Sequence, residues 1–341
     1  MISVNEYKKR FFKNKRLNIE NTARCTLLCP LCKRSTFLHL NNTSLPGTDL
    51  TPSQFKKIIK YFKLITFGGQ LSDPVFGRHF LELLDICYKE KLPKTRVLTA
   101  ATGKSEDWYK TAFKTNPDAI WTFGIDGPPH LSSTYRINQD GEFLFKMMCL
   151  AKEMKIKTIW QYIIFPYNKK YVEECKARAE QLGIGMFFIE SERSDFEQAK
   201  KRKAIKLSAE QKKQTKEKWI KVLEQQGIKN KSLNNFKPRC IYEEQEITLS
   251  SEGYFTPCCW TDDELYNQQP WINSFFSPHL HIDNNDTVDN IFNSKEWRRF
   301  FKMLLKNPNN APPVCFEYCA SAKGDHEILK SDKHGETVRK H

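Results

Sequence analysis

No run of apolar residues in the sequence is long. The longest, such as Tyr162 to Phe165, fall far short of the about 20 residues that a membrane-spanning helix needs. The basic segment from Met1 to Arg16 has no apolar stretch behind it, so we expect neither a signal peptide nor a membrane anchor. These absences predict a cytoplasmic protein in a reducing compartment, without membrane association.

Acidic residues are also in short supply. The 341 residues include 55 Lys and Arg against 40 Asp and Glu, a net charge of +15, while 39% hydrophobic residues suffice for a sizeable core. The segment from Lys200 to Lys221 holds ten basic and two acidic residues, which leaves +8 of that total. Such a run is either a solvated helix face or a surface for an acidic partner or nucleic acid. Because Trp219 is its one aromatic residue, we expect only weak nucleic-acid binding.

Short β-rich runs alternate with amphipathic helices along the first 190 residues. Strands are predicted at 16–21, 64–67, 95–99, 119–125, 158–165 and 186–189, and helices at 51–62, 79–91, near 108, 142–155 and 171–182. Successive strand–helix units, about six in number, predict a parallel sheet with right-handed crossovers. They are too few for a closed eight-stranded barrel, so we expect an α/β fold with a partial (β/α)6 TIM-like barrel. A doubly wound sheet is the alternative.

The rest of the chain differs in composition and predicts further regions. After a barrel at 1–195, we expect a basic helical linker at 196–235. The segment 236–325 holds five cysteines and a hairpin signal with turn residues Ser250 to Gly253, which predicts a small α+β domain. A polar tail at 326–341 completes the predicted organisation.

Eight of the eleven cysteines lie in close groups, which in a reducing compartment indicates metal binding or catalysis rather than disulfides. The first group, Cys25, Cys29 and Cys32, has the spacing Cys-x3-Cys-x2-Cys. Three thiolates can bind three irons of a [4Fe–4S] cluster and leave the fourth iron open for another ligand. A zinc site is the alternative, but it requires four ligands, and His39 lacks the usual spacing.

This motif, its place after a first strand and the strand–helix repeat downstream resemble the radical S-adenosylmethionine (SAM) superfamily. The resemblance covers about 17–319 of the chain. It implies a [4Fe–4S] cluster whose open iron binds SAM, and an electron that cleaves SAM to a 5′-deoxyadenosyl radical, which abstracts hydrogen from a substrate. It also implies an external reductant such as flavodoxin or ferredoxin.

Further segments resemble the family where each predicted strand ends. The resemblance implies close backbone approach to the SAM amine at the glycine-rich turn, and a guanidinium for the SAM carboxylate at Arg136. The end of strand 158–165 is expected to form a wall for the adenine. Leu31 departs from the pattern, because an aromatic residue often precedes the third cysteine. The residues assigned to SAM binding are Gly68, Gly69, Gln70, Asp73, Thr99, Asp126, Arg136 and Gln161.

The second cysteine set reads Cys-x12-Gly-x4-Cys followed by Cys-x3-Cys. It resembles the short form of the SPASM/twitch extension of radical SAM enzymes. The resemblance implies an auxiliary [4Fe–4S] cluster bound by Cys240, Cys258, Cys315 and Cys319, with Cys259 as a spare thiol. By spacing alone, a structural zinc site on the same thiolates is the alternative. A cluster with four cysteine ligands has no open iron, which favours electron transfer and therefore oxidation or bond formation.

Acid–base candidates follow the sixth predicted strand, namely Glu190 and Glu192, with Arg193 and Asp195 beside them. Together these features predict a radical SAM enzyme of oxidoreductase type that oxidises or cross-links a peptide or protein. Oxidation of a small molecule and modification of RNA are alternative reactions. A non-catalytic, zinc-stabilised nucleic-acid-binding protein is the alternative from another functional class.

Overall fold

A computed structural model divides the chain into two compact units. It describes residues 16–41, 43–92, 94–190, 210, 236–242, 246–262, 270–319, 329–330 and 337–340. The first unit comprises Met1–Asn21, Thr48–Ile65 and Leu207–Gly324, and the second comprises Thr22–Gly47, Thr66–Lys206 and Asp325–His341. Most of the predicted basic linker at 196–235 lies outside the described residues, so its boundaries stay predictions.

Strands and helices alternate through the first 190 residues, as predicted. The strands are β1 (Arg16–Ile19), β2 (Leu64–Gly68), β3 (Lys94–Thr99), β4 (Ile120–Gly124), β5 (Thr158–Ile164), β6 (Gly185–Glu190), β7 (Ile247–Leu249), β8 (Phe255–Thr256), β9 (Leu329–Lys330) and β10 (Thr337–Lys340). The helices are α1 (Lys33–Asn41), α2 (Pro52–Ile59), α3 (Phe80–Lys89), α4 (Glu106–Thr115), α5 (Gly141–Glu153), α6 (Val172–Leu182), α7 (Arg239–Tyr242), α8 (Pro270–Asn273), α9 (Val288–Phe292), α10 (Lys295–Lys306) and α11 (Pro313–Cys319). Within these ranges, every helix is too short or too polar to cross a bilayer.

Side-chain caps explain where several helices begin. At α2, the Thr51 hydroxyl accepts a hydrogen bond from the Gln54 backbone N–H, and the Gln54 side chain accepts one from the Thr51 N–H. This reciprocal pair satisfies two backbone donors that the first helical turn leaves without partners, and Pro52 occupies the first helical position. Ser105 caps α4 and Asp140 caps α5 by the same kind of contact.

The second unit is built on parallel strands. Its strand order includes β2-β3-β4-β5-β6, and β3, β4, β5 and β6 pair in parallel, with Val97 opposite Trp121 and Trp160 opposite Met186. Part of the predicted polar tail also joins this sheet. There β10 pairs in parallel with β6, and β9 pairs antiparallel with β10.

Helices α3 to α6 pack on one face of these strands. Phe80 of α3 and Phe113 of α4 both contact Trp121 of β4, at ring-centroid distances of 6.2 and 5.0 Å, and Phe145 of α5 contacts Trp160 of β5 at 5.2 Å. A doubly wound sheet carries helices on both faces, so this one-sided packing excludes that alternative for the described strands. The predicted α/β class with a mostly parallel, barrel-like sheet is confirmed.

In the first unit, β7 pairs in parallel with β1, with Leu17 opposite Ile247, and antiparallel with β8. The β7–β8 connection is the predicted hairpin, and Gly253 has a φ of +84° that few other residues adopt. Phe275 packs against Trp297 of the amphipathic helix α10 at 5.1 Å. These contacts form the apolar core of that unit.

We expect Phe113→Ala to lower the free energy of unfolding by about 3–5 kcal/mol, because it opens a cavity in the fully buried core beside Trp121. Tyr88→Ala is the matched control, since Tyr88 is 45% exposed and its truncation should change stability by less than about 1 kcal/mol. Urea unfolding followed by tryptophan fluorescence measures both. Equal unfolding midpoints for the two variants would contradict this packing.

Candidate functional site

The first cysteine set lies on the loop between β1 and α1. Cys25, Cys29 and Cys32 are each partly exposed, and the Cys32 N–H donates to the Cys29 carbonyl at 3.0 Å. Burial, with Asp73 adding to it, raises the pKa of the Cys25 thiol to about 12. Burial raises the pKa of Cys29 to about 11, against an opposing effect of Arg136. Metal binding at these thiols would therefore release protons.

The donor set fits an iron–sulfur cluster by its chemistry. Soft thiolates are the protein ligands that such clusters use, and three of them occur within eight residues on one loop. Across the described ranges, no three His, Cys, Asp or Glu side chains are grouped as ligands of a single metal ion. A cubane cluster does not need that grouping, because each thiolate binds a different iron.

Backbone contacts hold the cysteine loop against the ends of the strands. The Asp73 N–H donates to the Arg24 carbonyl at 3.0 Å, and the Arg24 guanidinium donates to the Phe76 carbonyl at 2.8 Å. Farther along the loop, the Thr26 hydroxyl donates to the Thr102 carbonyl at 2.9 Å. The loop is thus fixed by segments that follow β2 and β3, the edge where barrels of this kind place their sites.

The Asp73 carboxylate is buried and accepts several hydrogen bonds. Its carboxylate accepts hydrogen bonds from the Thr99 hydroxyl at 2.9 Å, from the Ala100 and Ala101 N–H groups at 2.8 and 2.9 Å, and from the Val75 N–H at 3.3 Å. Burial raises its pKa, against the lowering effect of those hydrogen bonds. The structure therefore places Asp73 and Thr99, two predicted SAM ligands, in contact with each other, where they fasten the β2 loop to the end of β3.

The glycine-rich turn after β2 has no room for side chains. A Cβ on Gly69 would lie 2.0 Å from the Ser72 carbonyl oxygen, so any larger residue would displace the backbone. Gly68 is buried at the end of β2, whereas Gly69 is exposed and Gln70 partly exposed. The exposed backbone at Gly69 is therefore accessible at the strand edge, and the role of this turn in SAM binding stays a prediction.

Asp126 and Arg136 form a buried ion pair beside Cys29. Arg136 Nε lies 2.8 Å from Asp126 Oδ2, and a second guanidinium nitrogen donates to Oδ1 at 3.2 Å. Burial opposes the charge on Arg136, but Asp126 outweighs it and raises the pKa of the guanidinium. A Cβ on Gly124 would lie 3.0 Å from this guanidinium, which explains the glycine at the end of β4.

The same pair limits how Arg136 can act. One edge of the Arg136 guanidinium faces Asp126, so a SAM carboxylate would bind the N–H groups on its other side. Asp126 also accepts a hydrogen bond from the Ile163 N–H at 2.9 Å, which joins the ends of β4 and β5. Asp126 is fully buried, and its contacts make it a positioning residue for Arg136.

Two buried amides complete this edge: Asn168, which the sequence grouped with the expected adenine wall, and Gln139, to which sequence reasoning assigned no role. Gln139 donates to the Ala100 and Gly124 carbonyls, and so bridges the ends of β3 and β4. Asn168 donates to the Ile163 carbonyl at 2.9 Å and accepts from the Phe165 N–H at 2.7 Å. The only signal for Gln139 was its place three residues after Arg136.

An apolar wall adjoins Cys29 at the end of β5. Tyr135 and Phe165 are buried with ring centroids 4.4 Å apart, and Tyr167 stacks on Phe165 at 5.6 Å. Cys29, Leu31 and Ile163 pack against this group. Leu31, which departs from the expected aromatic residue, therefore packs against a cluster of aromatic rings supplied by other segments.

The second cysteine set lines one pocket in the first unit. Cys240 on α7, Cys258 after β8, and Cys315 and Cys319 on α11 surround a volume of about 430 Å³ that includes space open to solvent. Burial raises the pKa of Cys240, and the nearby Cys258 and Cys319 add to that effect. The same causes raise the pKa of Cys315, with all three other thiols contributing. Four thiols that influence one another in one pocket fit a single cluster, in which each thiolate binds a different iron.

The remaining candidates lie on β5 and β6 or outside the described residues. Glu190 is the last residue of β6 and lies two residues after Phe188, so both are on the same face of the strand. This is the face that the helices cover, where the Phe188 ring packs on Tyr162 at a centroid distance of 5.7 Å. Gln161 lies on the opposite face of β5 and pairs with Gly124 and Phe187 in adjacent strands. Glu192, Arg193 and Asp195 lie outside the described residues. The catalytic roles of Glu190 and Glu192 stay predictions.

We expect Asp73→Asn to lower the free energy of unfolding by about 1–3 kcal/mol, because the amide nitrogen would face donors that now bind a carboxylate oxygen. Asp118→Asn makes the same chemical change at an exposed position and should be near neutral. Urea unfolding of both variants measures the difference. If Asp73→Asn were as stable as Asp118→Asn, the Asp73 network would not hold this edge together.

No family model and no curated protein matches the sequence. Solved structures match its fold. SuiB from Streptococcus suis, bound to precursor peptide SuiA, is 11% identical, with a TM-score of 0.56 over 97% of this chain and 78% of that chain. SuiB bound to S-adenosylmethionine gives 12% identity and a TM-score of 0.52 over 90% and 79%. The protein anSMEcpe, with bound AdoMet and the Cp18Cys peptide, gives 13% and 0.53 over 91% of each chain. The chain therefore has the same fold as these structures.

Proposed function

We propose that this protein is a radical SAM enzyme that oxidises or cross-links a peptide or protein. The observation that carries the proposal is the placement of the Cys25–Cys32 loop against the ends of β2 and β3, with the Asp126–Arg136 pair beside Cys29. A cysteine triad, a guanidinium and a glycine turn at one strand edge are the groups that cluster and SAM binding require. The shared fold supports the same conclusion.

Cys25, Cys29 and Cys32 would hold a [4Fe–4S] cluster in this site. When bound, the cluster and SAM supply a 5′-deoxyadenosyl radical. The chain's own residues would bind and orient SAM. The backbone at Gly68 to Gln70 would bind its amine, and the N–H groups of Arg136 that do not face Asp126 would bind its carboxylate. The aromatic wall of Tyr135, Phe165 and Tyr167 would pack against the adenine and exclude water from that side.

Cys240, Cys258, Cys315 and Cys319 would hold an auxiliary [4Fe–4S] cluster. The mutual effects on their pKa values and the apolar lining that includes Trp260 and Phe300 support one shared group in a pocket of low polarity. With four thiolates, this cluster has no open iron, so we assign it to electron transfer. That role suits an oxidation or a bond formation, which must pass an electron onward after hydrogen abstraction.

The peptide substrate is supported by the comparison. SuiB binds precursor peptide SuiA and anSMEcpe binds the Cp18Cys peptide, each in a fold that this chain shares over nine-tenths of its length or more. We further propose an external one-electron donor, such as flavodoxin or ferredoxin, as the source of the initiating electron.

The cofactor assignment predicts metal content. After anaerobic reconstitution we expect about eight irons and eight labile sulfides per chain, the content of two [4Fe–4S] clusters. Replacement of Cys25, Cys29 and Cys32 by Ala should leave about four irons, because only the auxiliary site would remain. Cys87→Ala is the control, since this buried thiol lies in α3 and should leave the content unchanged. Zinc without labile sulfide would contradict the proposal and support the zinc-stabilised alternative.

The assignment of Arg136 predicts a change in SAM affinity. Arg136→Ala should weaken SAM binding by roughly 1.5–3 kcal/mol, the range for a hydrogen bond to a charged group, as measured by equilibrium dialysis on the reconstituted protein. Arg298→Ala removes an exposed arginine from α10 and should leave the affinity unchanged. Iron content and circular dichroism verify that both variants are folded and loaded. Unchanged affinity in Arg136→Ala would remove this residue from the SAM site.

A further inference from the structure

The sheet face opposite helices α3 to α6 is apolar and partly exposed; we call it the distal face. Along β3, β5 and β6, buried residues that point toward the helices alternate with exposed or partly exposed ones, whereas in β4 Ile120 is partly exposed and Thr122 and Gly124 are buried. This alternation follows from the two-residue period of a strand. The large apolar residues of the distal face are Leu98, Ile120, Ile159, Ile163, Phe187 and Ile189.

Arg96 is the partly exposed cation within this apolar surface, and Lys94, which shares its face by the two-residue period, lies at the exposed start of β3. Its neighbours Thr95 and Val97 are buried toward the helices, and Thr95 hydrogen-bonds Cys87 of α3, so Arg96 lies on the distal face opposite Ile120 of β4. No acidic residue of β3 to β6 shares this face. Within the part of the chain that the structure describes, the Arg96 guanidinium makes no hydrogen bond or ion pair.

Its surroundings determine what Arg96 would bind. A guanidinium beside apolar side chains binds a planar carboxylate well, because the pair forms parallel charge-assisted hydrogen bonds. An RNA ligand would instead require several cations for its phosphates. Of the two cations, Arg96 lies beside Leu98 and opposite Ile120, and this setting fits an apolar peptide that carries a carboxylate.

The position of Arg96 along β3 determines its distance from the strand edge beside Cys25. Arg96, Leu98 and Ala100 share one face, and the Ala100 N–H binds Asp73 at the edge beside Cys25. Four residues of strand span about 13 Å. An extended peptide advances by about the same amount per residue, so a carboxylate at Arg96 lies roughly three to five residues from a residue held at that edge.

We propose that Arg96 anchors a substrate carboxylate, the side chain of an Asp or Glu residue, about three to five residues from the residue that reacts. The apolar distal face binds the intervening side chains. This inference rests on the proposed function, and it adds an acidic recognition element to the peptide substrate. Arg96 is a specificity residue, far from the reacting atoms.

The probes are two pools of fluorescein-labelled nonapeptides, randomised except for a central Glu in one and a central Gln in the other. Binding to the cluster-loaded, SAM-bound protein is measured by fluorescence polarisation. We expect the Glu pool to bind at least about threefold more tightly, because the central Glu adds a charge-assisted hydrogen bond to Arg96. This factor is an average over the random sequences of the pool, and a single well-matched peptide would show a larger one. Arg96→Gln should abolish this preference, and Arg96→Lys should retain part of it.

Arg178→Gln is the matched control, because it removes an exposed arginine from the helix-covered side, where Arg178 contacts Phe145, and should keep the preference. Equal binding of both pools, no binding of either, or a preference that survives Arg96→Gln would overturn the inference. SAM cleavage to 5′-deoxyadenosine without peptide is measured in parallel. If the native protein cleaves SAM but shows no preference for Glu, this inference fails and the proposed function stands; if it does not cleave SAM, the proposed function itself fails. Iron content confirms that each Arg96 variant is folded.

Discussion

The carboxylate of Asp73 is the contact on which the arrangement of the site depends. A buried carboxylate is stable only when hydrogen bonds replace its water, and here four donors from the β2 loop and the end of β3 converge on it. Its backbone N–H also binds the Arg24 carbonyl, directly before Cys25. One residue thus fixes the distance between two strand ends and the cysteine loop.

A second buried carboxylate, that of Asp126, joins the ends of β4 and β5 through its hydrogen bonds in the same way. Asp126 binds Arg136 and the Ile163 N–H, while Gln139 and Asn168 satisfy the neighbouring carbonyls. These amides and carboxylates give the strand edge a rigid polar frame, because each is buried and bonded at several atoms. The frame places one guanidinium and one aromatic wall beside Cys29, and this combination is what a charged nucleoside such as SAM requires.

The two cysteine sets belong to different units and differ in what surrounds them. The first set has charged neighbours, Asp73 and Arg136, which act in opposite directions on its thiols. The second lies in a pocket whose one charged lining residue is Arg239. An open cluster that binds a charged ligand suits the polar site, and a closed cluster that carries electrons suits the apolar one.

Sequence patterns predicted the elements well, because alternation and capping are local. The capped helix α2, the strands up to β6 and the β7–β8 hairpin lie where periodicity and turn residues indicated. Helix α1 was missed because it follows the cysteine loop without a capping residue or an amphipathic pattern. The one-sided helix packing was also beyond local patterns, since it depends on which strand face each helix covers.

For the site, sequence alone determined the two cysteine sets and the glycine turn, because thiol spacing and glycine are local requirements of clusters and close backbone approach. Tertiary structure decided which predicted ligands face each other. Asp73 with Thr99, and Asp126 with Arg136, are separated by 26 and 10 residues and meet only when the strand ends align. It also decided that Arg96 lies on the apolar distal face and Glu190 on the helix-covered one, because a strand's orientation in its sheet is set by packing rather than by the strand itself.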